Sequence, residues 1–500
     1  MSQIIITDQD WLERNNYPHP QSDNGLGMHS SPGGQQPHGG TAWDNWGYDK
    51  NYAWAKEQHD RYAVRWLKVL GDGGEGSVSF CKACTDAGIE VVVRVYIEKP
   101  HPNFIIDYRT VAAYFAVGVH YFEFGNEPNL ALEWAGMPND GLVIGHSFVV
   151  ALCNQIIANV EQIARGGGIC LLPALAPGNE NDDPDLVTWQ SIIRWFQLAV
   201  FDDGRRAEDW FKAHVTAGHI ALALHPRYGD HWVDDEMVNI DYPNDPVNEF
   251  GRPLSNAEIA HGNVDPALIP IINAQRERDK NPGVTLLQDS TCWRSWELVD
   301  SLFFDWLKKH LPQLHTEAGP EVGDHWDGRY IRVSCEAHAR VAMETIRRFH
   351  PKHPKAVPPW ILCQMFWVGW LWGHGSFLGA PWWDNPINPD PMTGDKNLPA
   401  VYELERFAQT ENFDRDLDWQ QQEEEDPNVI KAEDYGIPVE LQALLDEWIA
   451  ADGLKSSFMR HALAVGGGPV TLDDLKEYAK GQAGYAGQMV LMLGRYDPKA

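Results

Sequence analysis

The chain has 500 residues and carries 40 Lys and Arg against 71 Asp and Glu, a formal net charge of −31. An acidic surplus of this size repels phosphate backbones and anionic lipid headgroups, which sets nucleic acid and membrane surfaces aside as partners. With 43% hydrophobic and 11% aromatic residues, the chain has material for a large core and lies outside the composition of disordered segments.

The first residues, MSQIIITDQDWLERNN, have no basic start, no sustained apolar stretch and no small-residue cleavage site. No signal peptide is therefore expected, which makes the cytoplasm the default location, with non-standard export as the alternative. No run approaches the roughly 18 uninterrupted apolar residues of a membrane-spanning helix. Residues 1–20 read as an N-terminal extension.

From 21 to 410 the hydrophobic period switches repeatedly between strand and helix. Short β-rich runs fall at 26–30 (weak), 66–70, 91–96, 121–125, 169–174, 220–225, 313–317 and 360–367. Apolar residues at helical spacing fill 50–61, 77–87, 109–117, 146–164, 186–201, 293–310 and 334–349. This alternation predicts a parallel α/β fold, and near-continuous apolar strands such as EVVVRVY need burial on both faces. The pattern predicts a (β/α)8 TIM barrel with a small helical C-terminal extension. An open doubly wound sheet is less favoured, because no strand is followed by a glycine fingerprint; DGGEG after Leu70 has neither the spacing nor a P-loop Lys-Ser/Thr.

Residues 230–282, rich in Pro, Asn and Asp, follow the sixth strand and predict an insertion that covers or walls the barrel mouth. Around 411–428 the rhythm stops, and QQQEEEDPN has the composition of a linker. A helical region is expected over 429–500, with candidates at 439–450 and 472–480 and an apolar stretch at 487–493. The seven cysteines are scattered and odd in number, which reads as reduced core thiols; Cys81 and Cys84 form a CxxC with no second pair downstream.

In such a barrel the reactive face is at the C-terminal ends of the strands. The fourth strand ends YFEFGNEPN and the seventh QLHTEAGPE, which sets Glu127 and Glu317 across the mouth from each other. Two facing carboxyls suit glycoside cleavage: one starts protonated and serves the leaving oxygen, the other is ionised and attacks the anomeric carbon. Arg94 is a charge inside an apolar strand and is costly there unless paired; pairing with Glu317 would keep that carboxylate ionised, and Glu123 is the competing partner. His29, near the lip of the first strand, is placed to touch a sugar hydroxyl. Of the 22 Trp residues, Trp43, Trp46, Trp232, Trp326, Trp370, Trp372, Trp382 and Trp383 fall in top loops, where indole faces would stack on pyranose rings. Trp367 or Trp370 is the expected floor of subsite −1.

Asn-Glu-Pro closing strand four and Thr-Glu-x-Gly closing strand seven resemble the signature of clan A glycoside hydrolases, retaining enzymes on a (β/α)8 barrel, and are closest in style to its cellulase and β-xylosidase branches, where Glu123 also recurs. The resemblance covers the eight strands and excludes the tail. It implies that Glu127 is the acid/base, Glu317 the nucleophile and Asn126 a hydrogen-bond partner of the sugar 2-hydroxyl. It further implies that His225 and Tyr228, in ALHPRYG, match the His-x-Tyr element that supports both glutamates, here with one residue more between them. Many members carry Trp where this chain has Gly125.

The expected partner is thus a carbohydrate, neutral rather than acidic given the charge, with no cofactor and no metal. Two other readings stand beside it. A metal-dependent hydrolase of the amidohydrolase type would draw on His29, His225, His315, Glu127, Glu317 and Asp72, since His315 and Glu317, two apart, would share one side of a strand. A carbohydrate-binding barrel without turnover is the third.

Overall fold

The computed structural model describes residues 6–30, 47–71, 74–95, 104–130, 133, 146–176, 184–226, 293–319, 321–322, 332–333, 335–367, 369, 382–383 and 397–425. Eight parallel strands close into a barrel: β1 (Leu26–His29), β2 (Trp66–Leu70), β3 (Glu90–Val95), β4 (Tyr121–Phe124), β5 (Ile169–Leu172), β6 (Ile220–Leu224), β7 (Gln313–Ala318) and β8 (Ile361–Phe366). β1 pairs with β8 through Leu26 and Gln364 and with β2 through Gly27 and Trp66, which completes the ring. The fold is the (β/α)8 barrel that the alternation of periods predicts.

Helices α1 (Asp8–Arg14), α2 (Tyr48–Tyr62), α3 (Val78–Asp86), α4 (Tyr108–Phe115), α5 (His146–Arg165), α6 (Pro184–Leu198), α7 (Ala207–Thr216), α8 (Trp296–Leu307), α9 (Cys335–Arg347), α10 (Pro399–Thr410) and α11 (Arg415–Glu425) accompany the strands. Four of them, α1, α7, α10 and α11, are absent from the sequence reading. α10 begins with Pro at its first turn and packs on α9 and α2, so it closes the helical ring after β8. α11 runs into the segment read as a linker, because Gln and Glu are strong helix formers and a polar run does not by itself stop a helix. α5 is the one described helix long and apolar enough to cross a membrane, and it packs on β5 and α6.

The core has two compartments, as alternation along buried strands requires. Trp66, Val92, Tyr121, Leu171, Ala221, Ala223, Leu314 and Met365 fill the barrel, while Leu67, Val69, Val91, Val93, Leu222 and Leu224 face the helices. Small Ala221 and Ala223 in the same compartment as Trp66 and Tyr121 allow these layers to fit. Cys81 and Cys84 lie buried in α3 in the outer compartment, as core thiols do.

The N-terminal segment seals the end of the barrel opposite the candidate site. Tyr17 packs with Trp66 and Tyr121, and Tyr121 donates its hydroxyl proton to Pro18 O at 2.7 Å. Buried Arg14 pairs with buried Asp23, which also accepts from Trp66 Nε1 at 2.8 Å. The chain divides into two units, Met1–Asp416, which holds the barrel, and Leu417–Ala500, of which the end of α11 is described. The insertion at 230–282 and the tail helices at 439–450 and 472–480 lie outside the described residues.

Candidate active site

The site forms where β1, β2, β3, β4, β6 and β7 end. On β4, Tyr121 and Glu123 point inward by alternation, and Gly125 then turns the chain with φ of +71°. A Trp at that position would be strained, which accounts for the glycine. Glu127 itself has φ of +36°, unusual for a residue with a Cβ, and it is buried to 6% exposure. The loop is held by Leu130 N donating to Glu127 O at 2.8 Å and by buried Asn129, which exchanges two hydrogen bonds with Ala176.

β7 is irregular. His315 and Ala318, three apart, oppose Gln364 and Phe366, two apart, so β7 carries one extra residue at Thr316 and Glu317. Thr316 Oγ1 donates to Glu123 at 3.3 Å, and Glu317 also reaches the inner cluster. Consecutive residues thus serve one face, which strict alternation forbids. Gly319, the glycine of Thr-Glu-x-Gly, sits at φ of +101°, and a Cβ there would approach Phe366 Cδ1 to 2.5 Å.

Glu317 collects positive charge on one oxygen. Arg94 Nη1 lies 2.9 Å from Oε1, Lys68 Nζ 3.2 Å and His29 Nε2 3.3 Å. Burial alone would raise its pKa, but His225, Lys68, His29 and Arg94 hold the carboxyl well below the usual carboxylate range. Burial pushes His29 down to about 4, so its imidazole is neutral at neutral pH, and its Nδ1 meets Ser30 O.

His225 bridges the two glutamates. Its Nδ1 is 2.8 Å from Glu127 Oε1 and 3.8 Å from Glu317 Oε2, while its Nε2 is 3.9 Å from Glu123 Oε1. Arg94 also donates to Asn126 Oδ1, and Asn126 in turn hydrogen-bonds Glu133. Burial, followed by the charge of Glu127, raises the pKa of Glu133. Trp367 is buried beside His29, ring centroids 4.6 Å apart and edge-on.

Glu127, Glu317, Asn126, His225, Arg94, His29 and Trp367 therefore converge. Arg94 takes Glu317 rather than Glu123, because Lys68, invisible as a partner in the sequence, already holds Glu123 at 2.7 Å. Lys68, Thr316 and Glu133 were missed. The signal for Lys68 was present in WLKVL, a charge at an inward position of an apolar strand, the same argument that singled out Arg94. Tyr228, Trp370, Trp372, Trp43, Trp46, Trp232, Trp326 and Asp72 lie outside the described residues. Trp382 and Trp383 are buried, Trp382 against Phe366 and His338 and Trp383 against Tyr62.

The metal-site arrangement does not form around His315. The extra residue in β7 separates it from Glu317, and it packs beside Gln364, which accepts from Trp293 Nε1 on the helical side of the barrel. Among the described residues no group of three or more His, Cys, Asp or Glu is arranged to hold a metal ion.

No family model and no curated protein matches the chain. Among solved structures it is similar to a Bifidobacterium dentium β-glucuronidase complexed with coumarin-3-O-glucuronide, with TM-score 0.37 and 9% identity over 79% of this chain and 47% of that one. It is also similar to a Parabacteroides merdae β-glucuronidase (0.23, 10%, 43% and 27%) and to the AHE enzyme from Alicyclobacillus herbarius (0.24, 13%, 65% and 78%). The chain spans less than half the length of either β-glucuronidase. The fold assignment rests on the closed barrel itself.

Proposed function

We propose that the protein is a retaining glycoside hydrolase acting on β-linked oligo- or polysaccharides. The observation that supports this reading is the His225 bridge: one ring nitrogen lies 2.8 Å from Glu127 Oε1 and 3.8 Å from Glu317 Oε2, so both carboxyls line one small space at the mouth. Retaining glycosidases hold their carboxyls about 5–5.5 Å apart, whereas inverting ones leave about 6.5–9.5 Å for a water.

In this reading Glu127 protonates the glycosidic oxygen as Glu317 attacks the anomeric carbon, and a covalent glycosyl-enzyme forms. Glu127, now a carboxylate, then takes a proton from water as the water oxygen bonds to the anomeric carbon and the bond from that carbon to Glu317 breaks, which releases the sugar and restores both glutamates. Asn126, oriented by Arg94, serves the 2-hydroxyl, and Trp367 lies under the sugar face. No cofactor takes part. The favoured substrate is neutral: Lys68 and Arg94 are both committed to glutamates, and Glu123, Glu127, Glu133 and Glu317 oppose a further carboxylate.

A hydrolysis screen tests this on aryl β-glucoside, galactoside, xyloside, mannoside and glucuronide, and on soluble β-glucan, mannan and xylan. Turnover that falls about 100-fold or more in both Glu127→Gln and Glu317→Gln, is indifferent to chelator and retains anomeric configuration supports the reading. Inversion of configuration, or turnover that survives Glu317→Gln, sinks it. Preference for the glucuronide would overturn the neutral-sugar assignment alone.

A further inference from the structure

Lys68 is the one ammonium in the described site, fully buried at the middle of β2, and nothing in the retaining scheme requires it. A buried Lys is costly unless paired, and this one is paired twice, 2.7 Å from Glu123 Oε2 and 3.2 Å from Glu317 Oε1. Glu123 is itself fully buried and accepts from Thr316, the residue next to Glu317. The three side chains come from β2, β4 and β7 and form a bracket beneath the candidate nucleophile, one layer below the mouth. Arg94 and His29 approach the same Oε1, but from β3 and β1.

We propose that Lys68 is a positioning residue for Glu317: its ammonium, itself anchored by Glu123, pins Oε1 from inside the barrel and thereby turns Oε2 toward the anomeric carbon. The inference rests on the retaining-glycosidase reading and deepens it. Lys68 touches no substrate. It acts by fixing the rotamer of Glu317 and by keeping positive charge against it where water cannot supply it. Among the described residues the charged and titratable groups around Glu317 are His29 on β1, Lys68 on β2, Arg94 on β3, Glu127 and Glu133 after β4, His225 after β6 and, beyond Lys68, Glu123 on β4. Of the ammonium and guanidinium groups on Oε1 among the described residues, Lys68 is the one also held by a second buried carboxylate, Glu123 at 2.7 Å. The low pKa of Glu317, to which Lys68 contributes, agrees with this.

Three variants of the full chain test the proposal: Lys68→Met, Lys68→Arg and the double variant Lys68→Met with Glu123→Gln. The double variant removes both buried charges together and guards against unfolding caused by an unpaired Glu123. Two readouts are taken. The first is the pH dependence of kcat and KM on whichever aryl β-glycoside the wild type hydrolyses. The second, which needs no substrate, is a pH titration of the Glu317 carboxyl by carbon-13 NMR of glutamate-labelled protein, its resonance assigned by its loss in Glu317→Gln.

The expected result is that the double variant lowers kcat about tenfold or more with KM little changed, and that its acid limb and the Glu317 titration both move up by about 1 to 3 pH units. Lys68→Arg should recover most of that shift. A double variant that folds and keeps the wild-type titration and pH profile, while Glu317→Gln is inactive, overturns the proposal and leaves the glycosidase reading standing. Turnover that survives Glu317→Gln instead overturns that reading, and the role of Lys68 falls with it.

Discussion

Asn129 and Ala176 are bonded to each other twice: the Asn129 amide donates to Ala176 O at 2.9 Å and accepts from Ala176 N at 2.7 Å, with both residues fully buried. This side chain imitates a strand neighbour and ties the loop after β4, two residues from Glu127, to the segment after β5. Asn129→Ala leaves a buried N–H and C=O without partners, at a cost of about 1–3 kcal/mol. We expect that loss in urea denaturation, together with a kcat lowered about tenfold as Glu127 loses its support. An Asn129→Ala protein with wild-type kcat would show that the loop holds itself.

Glu127 pays for its place in backbone strain. Its φ of +36° lies in the region that favours glycine, next to a proline that restricts it further. Glu127→Gly and Glu127→Ala both remove the carboxyl, so the difference between them isolates the backbone. The glycine variant should be more stable by about 1 kcal/mol, read from thermal or chemical denaturation. Equal stability would mean that the loop is not strained at this residue.

The depressed pKa of Glu317 has a sign that can be measured. An acid with its folded-state pKa below the unfolded value contributes stability that is complete above the unfolded value and is lost as pH falls through the folded one. The carboxylate therefore stays ionised across the range in which ordinary glutamates titrate, and in the proposed scheme its protonation at lower pH sets the acid limb of kcat/KM. In Arg94→Met one of the charges on Oε1 is gone, and the acid limb should move to higher pH, with a loss of kcat of about tenfold or more. An acid limb unchanged in Arg94→Met would assign the low pKa to the remaining partners.

Buried histidines give a dependence of the same sign, in a higher pH window. Burial lowers His29 to about 4 and both His315 and His338 to about 3. Below the ordinary value of about 6.5 the unfolded chain binds protons that these folded residues refuse, so stability falls as pH drops from about 6.5 toward 4. Each group contributes up to about 3 kcal/mol to that loss. His338, packed against Trp382 away from the site, gives the cleanest test. His338→Gln should flatten the slope of urea midpoint against pH, and an undiminished slope would remove His338 from the account.

Much of this architecture is legible in the order of residues because strand and helix periods are local. WLKVL, EVVVRVY and the other runs mark all eight strands to within a residue or two, and Glu127 and Glu317 stand where two of them end. Two of the helices that escaped notice did so for local reasons as well: α7 follows α6 with no strand between them, outside the alternation, and α11 carries only Leu417 and Trp419 as apolar residues, too few for a stripe.

The charge pairing belongs to the closed barrel alone. Lys68 and Glu317 are 249 positions apart, and Arg94 and Glu317 are 223 apart. Which acid each base meets depends on strand register and on the extra residue in β7, and neither leaves a period in the sequence. From residue types alone, Arg94 had two equal partners in Glu123 and Glu317. Only closure of the barrel gave Glu123 to Lys68 and Glu317 to both Lys68 and Arg94, because buried charges must each find a partner within a few ångströms and the register decides which one is there.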